Sequence, residues 1–188
     1  RCLDLYDWEI ERSWLVWLPG MVCALNASCR SLEKECSQVF TQTPIYPPFL
    51  SAPGNFELPC VRIPMSLNAE RFSFDFRAMD ELPTQPSDLF MLCHPHNPVG
   101  TVFNSDELNR FAQWALEREL YVCSDEIHCD LLLEPELRHV PLASVSPEMA
   151  ERTITLMAPS KTFNLPGFGC SFAIVSNGEL RRKFKKAI

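Results

Sequence analysis

Apolar and polar residues follow one another in blocks of strand length and helix length. The residues from Asp88 to Pro95 form an apolar run that ends in turn residues, as in a strand buried on both faces. In residues 104–119, the apolar positions have the spacing of one helix face: Leu108, Phe111, Ala112, Ala115 and Leu116. Asn104 and Glu107 match the N-cap and capping box of such a helix. The pattern therefore predicts a buried strand followed by an amphipathic helix.

Shorter apolar runs recur on both sides of this unit. They predict strands within the segments Ser13–Leu18, Ser37–Phe49, Cys60–Ile63, Leu120–His128, Thr153–Ala158 and Cys170–Ser176. Pro19 and Gly20 precede a predicted helix at residues 21–32, whereas the proline-rich residues 52–87 are mostly loop. Strands that are apolar on both faces and alternate with helices indicate an α/β fold. We expect a mostly parallel central sheet with helices on both faces.

Polar residues follow four of the predicted strands, where each strand ends. Gly20 opens a helix after the first of them, and Asn97 follows the second. Asp125 and His128 end the third strand, and Lys161 comes directly after the fourth. Ligands of open α/β sheets bind outside the carboxyl ends of the strands. We therefore expect these residues to converge on one pocket.

Composition narrows the classes of function. The chain has 188 residues, 46% of them hydrophobic, which suits one globular domain with a sizeable core. Its net charge of −7 argues against nucleic-acid binding, and the basic residues 181–186 are typical of one face of a helix. No apolar run is long enough for a membrane span, and no signal peptide is visible. A cytoplasmic protein without nucleic-acid or membrane partners is expected.

The nine cysteines raise the question of disulfides or a metal site. No C-x-x-C pair occurs, and most of the cysteines lie in apolar segments, where thiols behave as small hydrophobic side chains. Reduced thiols are therefore expected. The stretch Cys93–His96 lacks a second pair of ligands at a usual spacing, so no metal site is predicted.

Lys161 stands in an unusual place for a lysine, directly after the apolar run 153–158 and Pro159-Ser160. Lysine is strongly hydrated and is seldom buried without a partner. The residues alone leave two interpretations open. Lys161 is either a charge that snorkels at the end of a strand, or a desolvated amine that acts as a nucleophile.

Three motifs occur in order along the chain: CHPHNPVGTVF, VCSDEIHCDLL and MAPSKTFNLPG. Together they resemble fold-type I enzymes of the aminotransferase class I/II superfamily, which depend on pyridoxal 5′-phosphate (PLP). The motif DEIH stands where many aminotransferases have D-x-x-Y. In this respect the chain is most similar to the MalY/PatB group of cystathionine β-lyase-like proteins. WLVWLPGMVCALN and TPIYPPF match as well. The resemblance implies that residues 1–188 are part of a PLP-binding large domain, with an N-terminal segment and a C-terminal small domain missing; a start at Arg1 and an end within a helix-like stretch predict the same.

The resemblance implies a role for each residue near the strand ends. Lys161 would form the Schiff base with PLP and, once released, take the Cα proton of the substrate. Asp125 would pair with the pyridine nitrogen, and Asn97 and His128 would lie beside the O3′ oxygen of the cofactor. Tyr46 would stack on the ring. The phosphate is assigned to the start of the first helix and to one hydroxyl, at Gly20, Met21, Val22 and Ser160.

Some of these residues also have a purely structural interpretation, and two positions depart from the family pattern. Turn formation or core packing also explains the residue types at Asp125, Asn97, His128 and Tyr46. Ala158 stands where many relatives have a phosphate-binding serine, and Phe168-Gly169 stands where many aminotransferases have an arginine. We therefore expect the phosphate to depend on the helix start, on Ser160 and on a partner subunit.

The resemblance favours a C–S β-lyase that converts cystathionine or a cysteine-like amino acid to pyruvate, ammonia and a thiol. An aminotransferase is the alternative, because both reactions begin with loss of the Cα proton. A PLP-fold regulatory or interaction protein is a further alternative, against which the intact Lys161, Asp125 and Asn97 argue. The resemblance also implies a homodimer when the chain is complete, and no activity for the isolated 188-residue piece.

Overall fold

The computed structural model describes residues 1–69 and 71–188, and a seven-stranded sheet forms its centre. The strands are β1 (Leu15–Leu18), β2 (Val39–Thr43), β3 (Cys60–Pro64), β4 (Ser66–Asn68), β5 (Arg71–Ser73), β6 (Leu89–Cys93), β7 (Tyr121–Asp125), β8 (Thr153–Met157) and β9 (Ser171–Ile174). The helices are α1 (Cys2–Tyr6), α2 (Met21–Leu32), α3 (Pro48–Ser51), α4 (Phe76–Asp80), α5 (Ser105–Glu117), α6 (Pro147–Ala150), α7 (Pro159–Thr162) and α8 (Gly178–Ala187).

The strand order of the large sheet is β1-β9-β8-β7-β6-β2-β3. Only β9 runs against its neighbours, so the other six strands of this sheet point in one direction. The expected mostly parallel sheet is therefore confirmed. Because the carboxyl ends of β1, β6, β7 and β8 share one edge of the sheet, the residues that follow them are brought to the same side of the molecule.

The central strand β6 shows why the apolar run at residues 88–95 is continuous. Leu89 and Met91 pack into the core cluster that contains residues of α2 and α8, whereas Phe90 and Leu92 pack into the cluster that contains α5. A strand whose alternate side chains meet helices on opposite faces needs apolar residues at every position. The prediction of helices on both faces is confirmed.

The start of α5 has the predicted capping box. Asn104 Oδ1 accepts a hydrogen bond from the Glu107 backbone N–H at 2.9 Å, and Glu107 Oε2 accepts one from the Asn104 N–H at 2.9 Å. Two helix-start N–H groups are thereby satisfied reciprocally. Arg71 of β5 also reaches Glu107, with 2.7 Å between Nη2 and Oε2, so the capping residue anchors the small hairpin as well.

Several element boundaries differ from the prediction. The first strand begins at Leu15, because Arg12–Trp14 forms a 3-10 turn. The second ends at Thr43, because Pro44 has no N–H with which to continue the ladder. Residues 52–87 are more regular than expected: β4 and β5 form an antiparallel hairpin, and α4 begins at an N-cap, Asp75, that accepts the Ala78 N–H at 3.1 Å. Within residues 1–69 and 71–188, no helix has both the length and the apolar character needed to cross a membrane.

Candidate active site

A cavity of about 210 Å³ lies where the carboxyl ends of the parallel strands meet. Its walls are formed by Met21, Val22, Tyr46, Phe49, Cys93, Asn97, Asp125, Ile127, His128, Ser160, Lys161 and Pro166. The structure thus brings together all the predicted site residues except Gly20, which lies just before the lining residue Met21. Residues from five separate segments of the chain converge here because each segment follows or flanks a strand end at the same edge of the sheet.

Asp125, the last residue of β7, is the buried acid of the cavity. Its side chain is almost fully inaccessible, and Oδ1 accepts a hydrogen bond from the Ile127 N–H at 3.1 Å. In the described part of the chain, the second carboxylate oxygen accepts no hydrogen bond. Burial raises the pKa of Asp125 to about 7, the charge of Glu126 adds to this effect, and the Ile127 hydrogen bond and the Lys161 charge oppose it. A cationic partner in the cavity would stabilise the ionised carboxylate.

Glu126, whose role the sequence left open, holds the turn that carries Asp125. The side chain is fully buried. Oε1 accepts hydrogen bonds from the Ser124 hydroxyl at 2.8 Å and the Leu142 N–H at 3.0 Å, and Oε2 accepts the His139 Nε2–H at 2.8 Å. A buried carboxylate with three hydrogen bonds fixes the backbone next to it. Glu126 therefore points away from the cavity and connects the end of β7 to the 139–142 segment.

Asn97 and Tyr46 are linked to each other through the backbone. The Tyr46 N–H donates to the Asn97 carbonyl oxygen at 3.1 Å, and the Asn97 N–H donates to Cys93 Sγ at 3.3 Å. The aromatic side chain of Tyr46 is 40% exposed, so it is not a core tyrosine but lies at the mouth of the cavity. His128 is half-buried, and burial, together with the Lys161 charge, lowers its pKa. A neutral imidazole at this position can accept or donate a hydrogen bond.

The N-terminus of α2 supplies an anion site at the cavity wall. Gly20 is the N-cap and has no side chain that could satisfy the first N–H groups of this 12-residue helix. Met21 and Val22, the first two helical residues, line the cavity. Free N–H groups and the positive end of the helix dipole favour a phosphate here.

Of the two interpretations that the residues left open for Lys161, the structure shows the exposed amine at the end of a strand. Pro159 starts the short helix α7 directly after β8, and Lys161 lies on this helix as an exposed side chain. It lines the cavity together with the half-buried Ser160. In the described residues, the amine is thus solvated at the rim of the site, because β8 ends and the chain turns before Lys161 is reached.

The structure gives a physical reason for the departure at Phe168-Gly169. A Cβ atom at Gly169 would lie 2.6 Å from the Pro19 carbonyl oxygen, closer than any stable contact. The close approach of these two loops requires glycine and leaves no room for the arginine that many aminotransferases have near this position. The neighbouring side chain, Phe168, is 73% exposed.

Four lining residues were not predicted from the sequence, namely Phe49, Cys93, Ile127 and Pro166. Each lies within five residues of a predicted site residue, and this proximity was the only signal that could have identified them. They are apolar or thiol side chains, which supply the walls of a cofactor site rather than its polar contacts.

The chemistry of these walls fits PLP. The cavity offers one buried carboxylate for a protonated ring nitrogen, one amine for the aldehyde carbon and one aromatic ring for the ring face. At another part of the wall, the α2 N-terminus and the Ser160 hydroxyl suit a phosphate dianion. The cavity therefore offers a group of suitable chemistry to the ring nitrogen, the aldehyde carbon, the ring face and the phosphate of the cofactor.

Comparison with known proteins gives the same result. Residues 5–188 match the family model described as aminotransferase class I and II. The cystathionine beta-lyase PatB of Bacillus subtilis is 32% identical over 97% of this chain and 47% of its own length. The crystal structure of OvoB has a TM-score of 0.95 at 41% identity, over 100% of this chain and 49% of that one.

The structure of cystalysin from Treponema denticola, which contains a PLP cofactor, has a TM-score of 0.92 at 33% identity, over 99% of this chain and 47% of that one. The chain thus spans about half the length of the relatives it matches. The match to PatB confirms the resemblance to the MalY/PatB group that the DEIH motif indicated. On these grounds, the chain belongs to the aminotransferase class I and II family, whose members depend on PLP.

Proposed function

We propose that the complete protein is a PLP-dependent C–S β-lyase. Its substrate is cystathionine or a cysteine-like amino acid, and the products are pyruvate, ammonia and a thiol. The observation that carries the proposal is that the buried Asp125 carboxylate and the Lys161 amine line the same cavity. The similarity to a cystathionine beta-lyase, PatB, supports the lyase reaction in particular.

When bound, PLP supplies an electron sink for the negative charge that develops at the substrate Cα. Asp125 keeps this sink effective by holding a proton on the ring nitrogen. Its carboxylate is poorly solvated and has one oxygen without a hydrogen bond in the described residues, so a cationic N–H is the partner that it lacks. The α2 N-terminus and Ser160 bind the phosphate, and Tyr46 covers the ring.

Lys161 is proposed to anchor the cofactor and then to move the proton of the reaction. After release, its amine removes the Cα proton of the substrate, and the C–S bond breaks as the thiolate leaves with the bonding electrons. His128 and Asn97 stay beside the cofactor oxygen. A lysine at the rim of the site can reach both the cofactor and a substrate that enters from solvent.

A groove of about 730 Å³ adjoins the cavity and provides space for the substrate side chain. The groove shares Asn97 and His128 with the cavity and continues along Pro95–Val102 and the 131–137 segment. An amino acid with a long substituent on Cβ, such as cystathionine, could extend into it while its Cα stays near Lys161. The complete site is proposed to form in a cytoplasmic homodimer, with residues 1–188 as part of the PLP-binding large domain.

An aminotransferase is the second candidate, because the chain belongs to a family named for that reaction. The two reactions share their first proton transfer and differ in its destination. In the lyase, a thiolate would depart from Cβ; in the aminotransferase, Lys161 would pass the proton taken from Cα to the cofactor, and a keto acid would complete the cycle. The two candidates therefore make opposite predictions about the need for a keto acid.

The first experiment tests the cofactor anchor in the full-length protein. Lys161→Ala should abolish the visible absorption of lysine-bound PLP and the incorporation of cofactor after borohydride reduction, because no other amine lines the cavity among the described residues. Lys185→Ala, a change of an exposed lysine on α8, is the matched control and should leave both signals unchanged. A wild-type protein that never shows the absorption band would refute the proposal.

The second experiment separates the reactions. The wild-type protein is supplied with cystathionine without any keto acid, and pyruvate and free thiol are measured. Formation of both products supports the lyase, whereas turnover that depends on added keto acid supports the aminotransferase.

A further inference from the structure

The carboxylate of Asp130 joins three parts of the chain beside the cavity. Asp130 lies in the turn after β7, five residues after Asp125. It accepts hydrogen bonds from the Arg1 guanidinium, the Tyr6 hydroxyl and the Thr162 hydroxyl, the last at 2.8 Å. Burial alone would raise the pKa of Asp130, but the hydrogen bonds from Tyr6 and Arg1 hold it below its ordinary value. The carboxylate is thus ionised at neutral pH and acts as a strong acceptor.

Thr162 is the residue that directly follows Lys161, at the end of α7. This helix has four residues, buries none of them and has no side-chain cap. Its backbone hydrogen bonds are local, such as that from the Leu165 N–H to the Ser160 carbonyl oxygen at 2.8 Å. The following residues, 163–169, are exposed. Among the described residues, the Thr162–Asp130 contact is the side-chain hydrogen bond that connects α7 to another element.

We propose that Asp130 is a positioning residue, which holds Lys161 at the cavity by accepting the hydrogen bond of the Thr162 hydroxyl. This inference rests on the proposed function, since it assigns a purpose to the position of the cofactor-binding amine. Asp125 ends β7, Asp130 lies in the turn that follows, and the buried Glu126 fixes the start of that turn. The end of β7 therefore sets the place of the ring-nitrogen partner directly, and the turn after it sets the place of the amine through Thr162.

The physical reason for such a tether is the exposure of α7. A short helix without buried side chains has little packing that could resist displacement. Loss of position by about 1 Å is enough to weaken the reaction of an amine with a bound carbon atom. A charge-assisted hydrogen bond to a fixed carboxylate restricts the helix where packing does not.

The test compares two changes of Thr162 in the full-length protein. Thr162→Val removes the hydroxyl, and Thr162→Ser keeps it. Thr162→Val should weaken PLP binding, measured by titration of the visible band, by about tenfold or more, because a hydrogen bond to a charged group is lost. In the cofactor-free protein, the amide hydrogens of residues 160–165 should exchange faster. Thr162→Ser should restore both PLP binding and slow exchange.

Thr41→Val is the matched control for loss of a threonine hydroxyl. Thr41 is buried in the sheet, and its hydroxyl donates to the Met91 carbonyl oxygen at 3.0 Å. This change should lower the thermal unfolding midpoint but leave PLP affinity and the exchange of residues 160–165 unchanged. If Thr41→Val weakens PLP binding as much as Thr162→Val does, the effect reflects global stability and the inference is wrong.

The Asp130→Ala background shows whether the two side chains act as one unit. Thr162→Val should have no further effect on PLP affinity when Asp130 is already alanine. Additive losses would overturn the inference, as would a Thr162→Val protein with wild-type affinity and exchange. These outcomes are distinct from failure of the proposed function, in which the wild-type protein itself does not bind PLP through Lys161.

Discussion

Two neighbouring parallel strands, β7 and β8, end at the same edge of the sheet, yet the segments that follow them are built differently. After β7, Asp125 and Glu126 are buried, and three hydrogen bonds to Glu126 fix the turn. After β8, Lys161 and the residues up to Gly169 are largely exposed, and Thr162 provides the side-chain link to the β7 turn.

The contrast between these two segments indicates that the site is preorganised mainly at the end of β7. The acid end of the cavity is set by buried side chains and by the three hydrogen bonds to Glu126, which are present without a ligand. The amine end depends on a short helix that the Thr162 hydroxyl links to Asp130, while the Arg1 guanidinium lies over the Phe163 ring at 5.7 Å from its centroid. Under the proposed function, a site with one rigid and one exposed side would keep Asp125 fixed at the ring nitrogen while Lys161 moves between cofactor and substrate.

The largest effect on the free energy of unfolding should come from the charge of Asp125, at the rigid end of the site after β7. The pKa of Asp125 rises from 3.8 to about 7 on folding, so the protein takes up a proton there. Stability from this group is present below about pH 4 and is lost as the pH rises through about 7, by roughly 4 kcal/mol in all. Asp125→Asn does not titrate. The cofactor-free variant should therefore be more stable than wild type at pH 8 in urea unfolding, although PLP-dependent turnover is largely lost.

The comparison of pH 4 with pH 8 is the control for this prediction. At pH 4 the wild-type carboxyl group is protonated in the folded state, so the advantage of Asp125→Asn should largely disappear. If Asp125→Asn is less stable than wild type at pH 8, burial of the ionised Asp125 carboxylate does not destabilise the folded protein, and this prediction is wrong.

A smaller effect on the free energy of unfolding is expected from the hydrogen bonds to Glu126, next to Asp125. Glu126→Ala removes the acceptor of three buried donors, so the free energy of unfolding should fall by about 3 kcal/mol. Glu126→Gln keeps the shape and one acceptor oxygen and should cost distinctly less. Urea unfolding of both variants measures the difference. Equal losses for the two variants would show that side-chain volume, and not the hydrogen bonds, holds this turn.

The sequence predicted the rigid region better than the exposed one, for a physical reason. Burial leaves a pattern: the apolar runs of β6, β7 and β8 and the helix face of α5 located the sheet and the Asp125 position. The capping box at Asn104 was readable because it depends on residues three apart. Those features are local or periodic, so a single sequence carries them.

Contacts between distant segments carry no such signal. Glu126 pairs with His139 and Asp130 with Thr162, and neither spacing is a recognisable motif. The apolar run before Lys161 left burial or exposure of its amine open, and the amine is exposed because Pro159 starts a helix that turns the chain toward solvent. From the sequence, Gly169 could be identified only as a departure from a family pattern. Its close approach to the Pro19 carbonyl oxygen, which requires glycine, is a contact between distant segments.

The smallest effect on the free energy of unfolding should come from the exposed segment after β8. Phe168→Ser changes a large apolar side chain that is 73% exposed, so the free energy of unfolding should change by no more than about 0.5 kcal/mol. Ile127→Ser makes a similar change on the rigid turn, where the side chain is 7% exposed, and should cost about 2 kcal/mol or more. Urea unfolding of the full-length protein measures both. A loss of more than about 1 kcal/mol for Phe168→Ser would mean that the segment after β8 packs against a part of the complete protein outside these 188 residues, and that both sides of the site are then rigid.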